Sequence, residues 1–157
     1  MQKEKFMRLA IAKARQGIAA GQAPFGACIA KKGKVVAVAH NEVWKRTDIT
    51  AHAEVAAIRL ACRRLGTVDL SGCAIYSTCE PCPMCFSAIH WAGIPIMVYG
   101  AGIADAKECG FSELEISNAA MKRLGKSKVR IEGGVLKGEC RGLFSYFRRV
   151  SGKKKLY

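Results

Sequence analysis

No apolar run in this 157-residue chain reaches the ~20 residues needed to cross a bilayer, although half of its residues are hydrophobic. A charge, a glycine or a proline interrupts each run first, which argues against a membrane protein. The opening MQKEKFMRLAIAKARQGIAAG has no unbroken apolar centre of the kind a secretory signal carries, so an intracellular, cytoplasmic protein is expected. Internal repeats and low-complexity linkers are missing as well, and the length suits one sizeable core rather than two. A single domain over residues 1–157 is expected, with SGKKKLY, residues 151–157, as an exposed tail. Acidic residues are scarce, 12 against 26 lysines and arginines, giving a formal charge of +14. From Lys122 onward, twelve basic residues face only Glu132 and Glu139. Such an excess favours association with a polyanion or an anionic substrate, but it does not define a reaction.

What the chain does have is cysteine, eight in all. Without an export signal, cysteines argue for metal binding or chemistry rather than for disulfides. Cys28, Cys62, Cys73, Cys109 and Cys140 are scattered among apolar neighbours and read as small buried hydrophobes. Cys79, Cys82 and Cys85 crowd together instead. An iron–sulfur site would want a fourth cysteine followed by proline, and Ile89 and His90 stand there. A zinc ribbon would want a second CxxC, which is absent. Cys79 therefore reads as a buried strand-end residue and not as a ligand.

The apolar periodicity outlines the frame that carries these cysteines. Phe6, Leu9, Ala10, Lys13, Ala14 and Gly17 recur at three- and four-residue spacing, predicting a first helix that ends near Gly21. FGACIAKKGKVVAVAHN reads as a β-hairpin around KKGK that delivers Asn41 to its end. TAHAEVAAIRLACRRLG predicts a helix capped at Thr50 and stopped at Gly66. CAIYST is a strand, PCPMCFSAIHWAG a helix opened by proline, and IPIMVYGAG another strand. Phe111 to Leu124 reads as helical, KVRIEGGV as a final strand or turn, and GECRGLFSYFRRV as a closing helix. This alternation implies a central sheet with helices on both faces.

Two short motifs then carry chemistry. His52-Ala53-Glu54 lies near the start of one helix and Pro81-Cys82-Pro83-Met84-Cys85 at the start of another. Cysteines three apart on a helical turn present their sulfurs to one side, and a helix N-terminus favours the thiolate that binds metal. His52 adds a nitrogen, giving three protein ligands and an open fourth tetrahedral position, as in catalytic zinc sites. Zinc there lowers the pKa of water to around 7. Glu54 is placed to take a proton from that water, pass it to a ring nitrogen and protonate the departing amine. HAE with PCPMC matches the pattern of zinc nucleobase deaminases.

Beyond these motifs, PFGA at 24–27, Asn41, TAHAEVAAIRLAC from Thr50, CEPCPMC from Cys79, AIHW ending at Trp91, GF at 110–111 and the terminal Tyr157 are informative. On them the chain, from about Phe6 onward, resembles the cytidine deaminase-like superfamily in its purine-acting branch, above all bacterial guanine deaminases and related guanosine deaminases. The resemblance implies a three-layer α/β/α sandwich with a mixed five-stranded sheet, one zinc per chain, a purine substrate with guanine converted to xanthine, and a homodimer. It implies that Asn41 hydrogen-bonds the base, that Phe25 and Trp91 help form the pocket, and that Tyr157 closes over the ring, with the tail reaching the neighbour's pocket as a lid. That family usually carries an aspartate shortly after GF as a second proton shuttle; here Glu113 stands at the position. GGVLKGECRGLFSYFRR is instead similar to the final helix of bacterial tRNA adenosine deaminases, which keeps tRNA as the alternative substrate. Cys79, Phe86 and Tyr157 depart from that second pattern.

Overall fold

A computed structural model describes residues 2–152, 156 and 157. Helix α1, Gln2–Ala19, is followed by strands β1, Gly26–Lys31, and β2, Lys34–His40. Lys32 and Gly33, both at positive φ, form the two-residue turn between them, the geometry that matches hairpin twist. After a short helix α2, Val43–Arg46, come α3, Ala53–Leu65, β3, Cys73–Cys79, and α4, Pro83–Trp91. The chain continues through β4, Ile96–Ala101, α5, Ile103–Glu108, α6, Asn118–Leu124, β5, Arg130–Glu132, and α7, Lys137–Ser151.

The sheet runs β2-β1-β3-β4-β5. β1 is antiparallel to β2 and to β3, whereas β3, β4 and β5 are mutually parallel, so the sheet is mixed and five-stranded. Strand alternation sends neighbouring side chains to opposite faces. Cys28, Tyr76 and Val98 pack with Phe6 of α1 and Phe144 of α7, while Ile29, Ile75 and Met97 pack with Ala57 of α3 and Ile89 of α4. Two cores flank one sheet, which is the three-layer sandwich expected. At Gly26 the approach of α1 is so close that a Cβ would lie 2.2 Å from the Ala10 carbonyl oxygen, so only glycine lets this helix seat.

Three expectations need correction. Thr50 does not cap α3: its hydroxyl bonds Asp48 Oδ1 at 2.6 Å, and His52 is the N-cap residue. The stretch from Phe111 to Leu124 is helical only from Asn118, because the Ser117 hydroxyl accepts the Ala120 N–H and starts the helix there, leaving 111–117 as a loop. The basic tail, expected as exposed, lies partly outside the described residues: Lys153, Lys154 and Lys155 are not among them, and Tyr157 at its end is half-buried.

Candidate metal centre and its pocket

The first residues of α3 and α4 meet at the carboxyl end of β3, the strand at which the sheet passes from antiparallel to parallel pairing. His52 and Cys82 occupy the two N-cap positions, both with extended backbone, so their side chains lean over the helix starts toward one another. Pro83 at the first position of α4 fits because its missing N–H would have had no intrahelical partner. Cys85 follows one turn later, completely buried. His52 Nδ1 lies 3.6 Å from Cys82 Sγ and 3.6 Å from Cys85 Sγ. The three ligand atoms fall within 4.8 Å of one another and can hold one metal ion. Two soft sulfurs and one imidazole suit zinc, and three ligands leave a position open.

Electrostatics supports this donor set. A hydrogen bond with Cys85 holds the Cys82 thiol down to about 4, helped by His52 and against the opposing effect of burial. That bond and burial push the Cys85 thiol well up. Burial alone would lower His52, but the bond to Cys82 and the negative groups around it raise it.

Glu54 sits on the first turn of α3, 5% exposed. Its Oε1 accepts the Ser77 hydroxyl at 2.7 Å, and its Oε2 faces Cys85 Sγ at 3.4 Å. Burial raises its pKa, with the charge of His52 opposing and the Ser77 bond also favouring the ionised form. The Glu54 carboxyl is thus fixed between Ser77 and the Cys85 sulfur. Glu113, in the 111–117 loop, is partly buried, and burial with the negative charge of Cys82 raises it too.

These groups open into a cavity of about 290 Å³, lined by His52, Glu54, Cys82, Glu113, Phe25 and Tyr157 among others. Phe25 stands edge-on to Phe111 at 5.0 Å between ring centroids. Tyr157 packs against its own chain's His52 at 6.0 Å, with Trp44 at 5.4 Å and Phe111 at 5.7 Å, and its carbonyl accepts the Ser112 N–H at 3.1 Å. Within the single chain Tyr157 therefore lies beside His52 at the cavity.

Asn41 is fully buried beside the Tyr157 phenol rather than lining the cavity; its Oδ1 accepts the Val43 N–H at 3.1 Å. Asn41 Nδ2 and the Tyr157 hydroxyl are buried next to one another, near enough for the amide to favour the ionised phenol, and neither makes a well-formed hydrogen bond among the described residues. Trp91 is not brought to the pocket: it is 83% exposed at the far end of α4. Nine residues at ~1.5 Å each carry it about 13 Å along the helix from Cys82. Cys79 is buried at the strand end, its thiol 3.5 Å from the Gly102 carbonyl, outside the ligand set. Sequence reasoning missed Ser77, Trp44, Glu80 and Asn118, whose roles arise from contacts distant in the chain; the one local signal was polar Ser77 inside an apolar strand.

Residues 1–101 match the family described as the cytidine and deoxycytidylate deaminase zinc-binding region. The chain is 46% identical to the guanine deaminase of Bacillus subtilis strain 168 over 114 residues, 72% of this chain and 73% of that one. It is 36% identical to the tRNA-specific adenosine deaminase of the same strain over 154 residues, 98% of this chain and 93% of that one. A solved structure of guanine deaminase from Nitrosomonas europaea matches with a TM-score of 0.86 at 29% identity, covering 93% of this chain and 84% of that one.

Proposed function

The chain belongs to the cytidine and deoxycytidylate deaminase zinc-binding family, and from that premise we propose that it deaminates a free purine base, guanine plus water giving xanthine and ammonia. Deaminase chemistry and zinc come with the family. The choice of a free base rests on one observation, the seating of Tyr157 over the cavity beside His52. An aromatic ring in that place shuts out water around a ligand the size of a base, whereas a nucleotide within RNA must leave its backbone outside.

In this reading His52, Cys82 and Cys85 hold zinc, which supplies the Lewis acidity that makes water a nucleophile near neutral pH. Glu54, oriented by Ser77, accepts one water proton and delivers it to the ring nitrogen next to the carbon under attack, then takes the second proton from the oxygen now bonded to that carbon and passes it to the departing amine as the C–N bond breaks. Glu113 faces the same space as a second proton carrier for ammonia. Asn41 Nδ2 and the Tyr157 hydroxyl, which face one another, are the groups that a purine edge would engage once Tyr157 moves to admit it. The protein acts as a homodimer, and sedimentation of the purified chain checks that point.

A second reading is deamination of adenosine in a tRNA anticodon loop. It is favoured by the nearly full-length match to a tRNA-specific adenosine deaminase and by the twelve basic residues from Lys122 onward. Deletion of residues 151–157 separates the two: kcat/KM for guanine should fall at least tenfold while zinc content is unchanged. Unchanged kinetics on guanine would remove the observation on which the free-base reading stands.

A further inference from the structure

We propose that Asn118, acting with Glu80, is a positioning residue that locks the metal-ligand turn to the loop carrying Glu113; this rests on Cys82 being a metal ligand. Asn118 opens α6 and is fully buried. Its Nδ2 donates to the carbonyl of Pro81 at 2.6 Å, the residue immediately before Cys82. Its backbone N–H donates to Glu80 Oε1 at 2.9 Å, while Glu80 Oε2 accepts the Ile103 N–H at 3.5 Å and the Glu80 N–H donates to the Ala101 carbonyl at 2.8 Å. Residues 80 and 81 are therefore held from the end of β4, from α5 and from α6. No other hydrogen bond is made by the Pro81 carbonyl among the described residues.

The same residue ends the loop 111–117. That loop carries Glu113 into the cavity and is tied at its other end by the Ser112 N–H to the Tyr157 carbonyl. One side chain thus spans the two halves of the site, the sulfur side and the carboxylate side. Asn118 Oδ1 is buried without a partner among the described residues, a cost that an apolar residue would not carry. The amide at this position contributes the bond to Pro81, and with it the relative placement of Cys82 and Glu113. Small displacements of such groups lower rates steeply, and loss of a residue that orients a ligand typically weakens metal binding or activity by about ten- to a hundredfold.

The test is competition of the zinc-loaded, full-length protein with a chromophoric chelator, read beside kcat, KM and thermal stability. Asn118→Ala removes the amide, and Asn118→Asp keeps its size while placing an acceptor against the Pro81 carbonyl. Both should speed zinc release and lower kcat by about tenfold, with a smaller change in KM. Ser117→Ala is the control, since it weakens the same helix start through Ala120 without touching the turn. It should lower stability and leave zinc release at the wild-type rate. Asn118 variants that lose stability but release zinc no faster than Ser117→Ala would overturn the proposal. If one Asn118 variant does not fold, the other decides. A wild-type protein that binds no zinc would instead refute the ligand assignment, and the proposal with it.

Discussion

Removing one hydroxyl, Ser77→Ala, should slow turnover without disturbing zinc. Ser77 is 1% exposed on β3, and its Oγ donates to Glu54 Oε1 at 2.7 Å. The other carboxylate oxygen faces Cys85, so among the described residues no other side chain holds Oε1 in place. A hydrogen bond to a charged acceptor contributes about 1.5–3 kcal/mol. If that orientation is used in the transition state, its loss lowers kcat by about ten- to a hundredfold at ~1.4 kcal/mol per decade. Alanine nearly matches serine in volume, so cavity strain adds little. Ammonia release at saturating guanine measures kcat, and bound zinc is counted on the same samples. A kcat within twofold of wild type, with zinc retained, would refute the idea that Ser77 aims the proton carrier.

Glu54→Gln should keep the metal and lose nearly all turnover, because the amide fills the same space but cannot carry the proton; an active variant would refute the assignment. Stripping zinc should expose Cys82 to alkylation at neutral pH, since its thiol is held at about 4, while Cys28, pushed up to about 12 by burial, stays unmodified. Mass mapping with and without zinc reads the difference, and equal labelling of both would count against the donor set. Gly26→Ala should lower stability by about 1–3 kcal/mol or more, since its Cβ would collide with the Ala10 carbonyl, and thermal unfolding would report it.

Elements whose boundaries are set by local chemistry were legible in the sequence. The hairpin, α3 with its stop at Gly66, and the proline-opened α4 follow from turn residues and helix stops. The metal centre was legible for the same reason, because HAE and PCPMC are compact motifs at helix starts. The 111–117 loop was not, since its residues suit a helix and it is the tie between Ser112 and Tyr157 and the cap at Ser117 that hold it open. Trp91 stands apart from the cavity of its own chain, since a resemblance transfers residue identity and the length of α4 sets the distance from Cys82. Ser77, Glu80 and Asn118 act across 23 to 38 positions, and no periodicity encodes such pairings.

The free-base claim is tested most directly by ammonia release from guanine, guanosine, adenine, cytosine and an anticodon stem-loop RNA, side by side at two salt concentrations. Release from guanine at equal rates at both salts is the expected result. Release from the RNA alone, falling steeply as salt rises, would contradict it and make the basic segment after Lys122 the surface that meets the substrate.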